Sequence, residues 1–275
     1  MRAIKAILIR NLINFTRDKM RVVLTLLMSV FFLFVFSFVM KSAANGIAQP
    51  MNYLISGIII MSVFQSAMGN SMSIIEDISS GFMKEILVAP IARWQISIGQ
   101  ILSSMVIAVI QGVIIVVVGL FMGLKLDLIH FIEMMGIMML VGITFSSMGL
   151  YLATLVKSST SFQIMTSLAM IPLTFLSGAY IPTTVMPGFL RPVIYFNPLT
   201  YTTAVFRYIS LRMEGLSVMA LVKAGVAFNI HGFIVLPYLA LFIILTMGII
   251  FFMLCVHQFN RADFSKVKVF RGEHR

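Results

Sequence analysis

The stretch WQISIGQILSSMVIAVIQGVIIVVVGLFMGL, residues 94–124, contains no Asp, Glu, Lys or Arg. A hydrocarbon core about 30 Å thick is crossed by roughly 20 helical residues, so this stretch can span it with turns to spare. Five more charge-free runs cover 22–40, 42–75, 134–156, 158–190 and 224–260, and even the shortest approaches that length. Of the 275 residues, 60% are apolar and 11% are charged, against about 25% charged in a soluble domain. Mean hydropathy is +1.05. That leaves too little charge to clothe a soluble globule and too much apolar surface for intrinsic disorder. The sequence predicts an all-α integral membrane protein with six transmembrane helices.

The formal charge of +11 would point to nucleic acid on a soluble chain, but here orientation in a membrane accounts for it. With six spans and both termini cytoplasmic, the inside segments 1–21, 76–93, 157–161 and 257–275 hold 14 of the 20 Lys and Arg. Cytoplasmic loops are enriched in this way. Of the outside cations, Arg191, Arg207, Arg212 and Lys223 share one long segment, where charge has less topological weight. No nucleic-acid partner is expected. Cys255 is the only cysteine, so no intramolecular disulfide is expected. The basic lead over 1–21 and the long apolar run over 22–40 do not fit a cleaved signal peptide.

The chain divides into an N-terminal interfacial helix over 1–21, a six-span core over 22–256 and a cytoplasmic tail over 257–275. In the first part Ile4, Ile7, Leu8, Leu12 and Phe15 fall on one helical side, and Arg10, Asn14, Arg17 and Arg21 on another. That pattern suits a helix lying in the membrane interface with its cations toward anionic headgroups; a plain positive anchor is the simpler alternative. The second span, about 52–75, carries Ser62, Gln65, Ser66, Asn70, Ser71 and Ser73 in its inner half. Polar residues in a span face other helices or a water-filled cavity, which makes Gln65 and Asn70 candidate pathway-lining residues. After the fifth span, about 162–178, Pro182, Pro187, Pro192 and Pro198 interrupt an apolar segment. Short re-entrant helices dipping into the outer leaflet are expected there, and such backbone is tolerated only where protein or water satisfies it. Residues 201–223 then read as an outside amphipathic helix and loop.

No G-x-x-x-x-G-K-[ST] phosphate loop occurs, so no nucleotide is expected on this chain. His130, His231, His257 and His274 have no metal-ligand spacing to each other or to Cys255, and no metal site is expected. No span holds paired carboxylates of the kind that proton-coupled carriers use. Glu133, at the outer edge of the fourth span, either meets a cationic group or simply sits at the interface. No nucleophile–base pair is evident, so no catalytic residue is expected.

Two segments carry more information. Between the second and third spans lies SGFMKEILVAPIARWQISIGQ, residues 80–100. Gly81 ends the preceding helix, Phe82 to Val88 form two short turns, and Pro90 stops them. Phe82, Ile86 and Ala89 share a side, with Lys84 and Glu85 toward water. The helix is suited to pass force to a docked soluble partner, or is an ordinary amphipathic loop helix. The second segment, 177–201, contains Ser-Gly-Ala-Tyr-Ile-Pro, Met-Pro-Gly-Phe-Leu-Arg-Pro and Tyr-Phe-Asn-Pro-Leu-Thr-Tyr.

Together with the six spans, these segments resemble the membrane subunits of ABC-2 type exporters. Gly81, Glu85, Leu87 and Pro90 match that family's G-x-x-x-E-x-L/I-x-x-x-P segment, with Gly99 at its later glycine. Ser177, Gly178 and Pro182 match the element that ends the fifth span. Pro187, Gly188 and Phe189 match P-G/x-W/F, Asn197 to Tyr201 match N-P-L-T-Y, and Arg207 matches the trailing arginine. Only residues 208–230 diverge.

The resemblance implies a single permease domain over 1–275 in a prokaryotic inner membrane. Two copies would form the pathway between them, docked on two separate ATP-binding subunits that hold the ATP and Mg2+. Gly81, Phe82, Lys84, Glu85, Ile86, Leu87 and Pro90 would form the coupling helix. Gly178, Tyr180, Pro182, Pro187, Phe189, Asn197, Pro198 and Tyr201 would belong to the outer gate. The second and fifth spans would line the pathway, with Phe175 joining Gln65 and Asn70. The 24 Phe and 23 Met favour an apolar or amphipathic export substrate, a drug or lipid-like molecule, because such side chains repack around varied ligands. Export of a polysaccharide or lipid-linked glycan by the same architecture, a stand-alone channel or carrier, and a scaffold without transport are the alternatives.

Overall fold

The structure, a computed structural model, describes residues 2–43, 50–88, 91–124, 126–156, 158–230 and 232–261. Helix α1 (Arg2–Arg17) leads into α2 (Lys19–Ala43), followed by α3 (Pro50–Gly69), α4 (Met72–Ser79), α5 (Phe82–Val88), α6 (Arg93–Phe121), α7 (Leu128–Leu155) and α8 (Ser159–Phe175). Two 3-10 turns, Thr183–Val185 and Gly188–Leu190, precede the short α9 (Arg191–Phe196), and α10 (Pro198–Ser210) and α11 (Val218–Lys223) follow. An antiparallel hairpin, β1 (Phe228–Ile230) with β2 (Phe233–Val235), leads into α12 (Pro237–Arg261). The chain is a mostly helical, multi-pass membrane protein. The hairpin departs from the all-α expectation: Gly232 at φ 91° and the Asn229 side chain accepting its N–H at 2.9 Å turn the chain tightly.

Among the described residues, four helical stretches are long and apolar enough to cross a membrane: Pro50–Ser79, Arg93–Phe121, Leu128–Leu155 and Pro237–Arg261. A fifth is counted if α1 and the 22–38 part of α2, bent by 69°, are taken as one broken span. Helix α8 has 17 residues with Pro172 inside it, which makes it about 25 Å long.

Helix α3 is the axle of the bundle. Tyr53 to Phe64 are buried without a break, so α3 is hydrophobic all round as a core helix must be. It packs between α6 and α7, with α2 and α10 on its other sides. Close approach rests on glycine. A Cβ at Gly57 would collide with the carbonyl oxygen of Ala179, and one at Gly112 with Val63 and Met138. Small residues let membrane helices close up where water drives no association. A second apolar cluster at the opposite end of the bundle joins Ile7 of α1, Ile74 and Ile75 of α4, Met83 of α5, Ile96 and Ile101 of α6, Leu150 of α7, and Cys255 and Phe259 of α12.

Helix α10 overturns one expectation. It is not a water-facing amphipathic helix: Leu199 to Arg207 are buried throughout, wedged among α3, α7, α8 and α12. Asn197 caps its start, its Oδ1 accepting the Leu199 N–H at 2.9 Å, and Pro198 takes the first position, where a missing N–H costs nothing. Its threonines satisfy their own hydroxyls, as in Thr203 Oγ1 to the Leu199 carbonyl at 2.8 Å, so the helix can be buried on all sides.

Replacing Gly57 by Ala is expected to lower stability by about 1–3 kcal/mol, because the turn at Ala179 must shift. Replacing Gly136 by Ala, where nothing lies within 4 Å of the new Cβ, should change it by less than about 1 kcal/mol. Reversible unfolding of both variants in detergent micelles checks the contrast.

Candidate functional site: a pinned turn and a tethered helix

A helix that ends inside protein or membrane leaves its last carbonyls without partners, and α8 does so. Three side chains at the start of and along α10, three and seven residues apart and hence on one helical face, supply donors. Asn197 Nδ2 donates to the Leu173 carbonyl at 2.9 Å. Thr200 Oγ1 donates to the Leu176 carbonyl at 3.3 Å. Arg207 Nη1 and Nη2 donate to the Gly178 carbonyl at 3.2 Å, and Nη2 also reaches the carbonyls of Ala179 at 3.2 Å and Tyr53 at 3.3 Å. The guanidinium carbon lies 3.3 Å from the centroid of the Tyr53 ring.

Arg207 is 1% exposed, and among the described residues no carboxylate pairs with it. Its charge is held by three carbonyl dipoles and a π face, which suits the planar fork of Arg and not the point charge of Lys. The result is one rigid unit: α3, the 177–180 turn and α10. Gly178 sits at φ 83°, a conformation open to glycine at no steric cost.

Tyr180 follows that turn and is buried. Its ring stacks on Phe36 at 4.7 Å and Phe32 at 5.3 Å, and Phe175 lies 6.2 Å away. The Gln65 side chain shares a hydrogen bond with its hydroxyl. Phe175 is 48% exposed and opens this aromatic group to the surface of the chain.

The residues assigned to the outer gate divide. Gly178, Tyr180, Pro182, Asn197 and Tyr201 are buried in or around the pinned turn. Tyr201 Oη donates to the Tyr195 carbonyl at 2.6 Å and ties α10 to α9. Pro198 opens α10, half-buried. Pro187 and Phe189 lie apart from this core on the surface, Phe189 being 79% exposed. Of the three candidate pathway residues, Gln65 and Phe175 meet at Tyr180. Asn70 does not; it is buried in the break between α3 and α4, its Nδ2 donating to Ser66 Oγ at 3.2 Å.

At the other end of the bundle, Gly81 at φ 83° separates α4 from α5, and α5 occupies Phe82 to Val88. The side chain it buries is Met83, at 1% exposure, where Phe82 and Ile86 were expected; those two are half-buried and Glu85 is exposed. Pro90, Ala89 and the side chains of Lys84 and Leu87 lie outside the described residues. Arg10 of α1 does not point to headgroups as expected. Its Nη2 donates to Asp77 Oδ2 of α4 at 2.6 Å, and its guanidinium carbon lies 4.9 Å from the centroid of the Phe82 ring. The neighbouring Asn11 donates to Gln100 Oε1 at 2.6 Å and Ser103 Oγ at 2.7 Å of α6. One polar cluster therefore joins α1, α4, α5 and α6.

This geometry can be set beside known proteins. Residues 2–211 match the model of the family described as ABC-2 type transporter. The chain belongs to the ABC-2 type transporter family. Within it, the chain is 26% identical over 210 residues to a protein of Cyanophora paradoxa that carries the name transport permease ycf38, covering 73% of this chain and 71% of that one. It is 26% identical to one named multidrug ABC transporter permease YbhR of Escherichia coli, covering 54% of this chain but 40% of that one. For the inner membrane transport permease YadH of the same organism the identity is 24%, covering 58% and 62%. The match to the family ends at residue 211, just after α10, so it includes both the pinned turn and the tethered helix.

Sequence reasoning missed the polar stripe of α10 and the burial of Arg207. The signal was available in the spacing of Asn197, Thr200 and Arg207. It also missed the meeting of His130 and Glu133 with Glu214, which lies beyond the end of α10; no local pattern could have revealed that.

Arg207→Met leaves the Gly178 and Ala179 carbonyls buried without donors. It should cost at least about 3 kcal/mol, since hydrogen bonds to a charged donor are each worth about 1.5–3 kcal/mol. Arg207→Lys should recover only part of the loss. Unfolding midpoints of the two variants in one detergent check the order.

Proposed function

We propose that this ABC-2 family member is the permease subunit of an ATP-driven exporter, works as a homodimer and couples to two separate ATP-binding subunits that carry the ATP and Mg2+. The observation that carries this reading is the tether of α5. A short, partly exposed helix at the inner end is fixed by Arg10 to α4 and, through Asn11, to α6. A push on α5 is thereby delivered to the ends of two long helices instead of being absorbed in a loose loop. The family's membership of transporter complexes supports the same reading.

In this reading six spans cross an inner membrane with both termini cytoplasmic. Helices α2 and α8 are the first and fifth spans, and α1 lies at the cytoplasmic interface. The pinned turn and α9 form the outer closure. The pathway lies between two copies, beside the aromatic group of Phe32, Phe36, Phe175 and Tyr180. That lining favours an apolar or amphipathic substrate, because flat rings and apolar walls bind such molecules without dedicated polar partners.

The test is co-purification with a candidate ATP-binding subunit, followed by ATP hydrolysis and dye export in proteoliposomes. Arg10→Ala and Glu85→Ala should each lower permease-stimulated hydrolysis by at least about fivefold, the low end of measured coupling effects. Complexes that do not form, or hydrolysis indifferent to both changes, would overturn the coupling. Export of a glycan with no effect on amphipathic dyes would overturn the substrate class.

A further inference from the structure

At the end of the bundle that carries the pinned turn, α7 begins with Asp127 as its N-cap, its Oδ1 accepting the Leu128 N–H at 2.8 Å. His130 and Glu133 follow three residues apart, on one face of the helix. The turn after α10 comes back over that face. It closes through the Arg212 N–H on the Ile209 carbonyl and the Met213 N–H on the Tyr208 carbonyl, at 3.1 and 3.0 Å, with Arg212 at φ 53°. This pair of bonds is the Schellman motif, which reverses a chain at a helix end. It delivers Glu214 to His130: Nε2 and Oε2 are 3.6 Å apart. One ligand atom from each of His130, Glu133 and Glu214 lies within 4.8 Å of the other two.

We infer that His130, Glu133 and Glu214 form a binding site for a divalent transition-metal ion, Zn2+ by its donor set, which clips the 211–217 turn to the start of α7. Four observations converge on this. The set of one imidazole and two carboxylates suits Zn2+ and its neighbours, whereas Mg2+ and Ca2+ take oxygen alone. Ligands 2.0–2.1 Å from a tetrahedral ion lie about 3.3–3.5 Å apart, and the His130–Glu214 edge is already close to that. Two carboxylates are held together although, among the described residues, no Lys or Arg pairs with either, and a dication removes their repulsion. Finally, with Nε2 on the metal, the buried Nδ1 of His130, which has no hydrogen-bond partner among the described residues, faces Asp127 Oδ2 at 3.9 Å. A carboxylate behind the imidazole is the outer partner that metal-binding histidines use. Both glutamates are exposed, so the ion can enter from water and keep water as its remaining ligands.

The site does not depend on the transport reading. The test uses tag-free protein in detergent micelles, stripped with a chelator and titrated with Zn2+ by calorimetry and by equilibrium dialysis with metal analysis. One Zn2+ per chain is expected, undisturbed by excess Mg2+ or Ca2+. His130→Gln and Glu214→Gln should each weaken binding by at least about tenfold, and Asp127→Asn, which keeps the helix cap, by about 10–100-fold. The unfolding midpoint should rise with Zn2+ in the parent and not in Glu214→Gln. Without metal, the midpoints of these two proteins should coincide, which separates loss of the site from loss of the fold. Absence of binding to the parent, or binding unchanged in His130→Gln and Glu214→Gln, would overturn the site.

Discussion

A buried arginine with no carboxylate partner among the described residues holds one end of this helical bundle together. In water its charge would need no help; among apolar helices it is tolerable only because three carbonyl oxygens and an aromatic face surround it. The same contact solves the opposite problem for the turn, whose carbonyls would otherwise be buried without donors. Each defect is the remedy for the other. That reciprocity explains why α3 presents a glycine to Ala179, why Gly178 adopts a positive φ, and why α10 is sunk into the bundle with a polar stripe along one side.

The opposite end of the bundle uses a different solution. Arg10 and Asp77 remain partly open to water, with side-chain exposures of 25% and 15%, so their ion pair is screened and adds little stability by itself. Its value is positional. It brings Phe82 under a cation and fixes the start of a helix too short to be stable alone. A strong contact anchors one end of the molecule and weaker, more numerous ones steady the other. That asymmetry is what the proposed coupling would need, with a rigid closure at the first end and a signal taken at the second.

Much of this was legible in the chain. Long charge-free runs mark the apolar helices, because a membrane span must satisfy its backbone internally and shed its charge. Gly81 marks the break before α5, because few other residues accept that φ. Residues 201–223 misled because an arginine in a polar-looking segment ordinarily belongs in solvent. The carbonyls that make Arg207 an exception lie on the turn after α8, on the far side of α9, and Tyr53 lies on α3, in the first part of the chain. The strands of the hairpin are three residues each, too short to show an alternation. The two glutamates near His130 belong to different elements, so no spacing rule could pair them.

The order in which the chain is made gives the pinned turn another consequence. Helix α8 and the 177–180 turn emerge from the ribosome before α10, so Leu173, Leu176 and Gly178 must expose bare carbonyls until Asn197, Thr200 and Arg207 follow them. The end of α8 is therefore completed only by sequence that follows it.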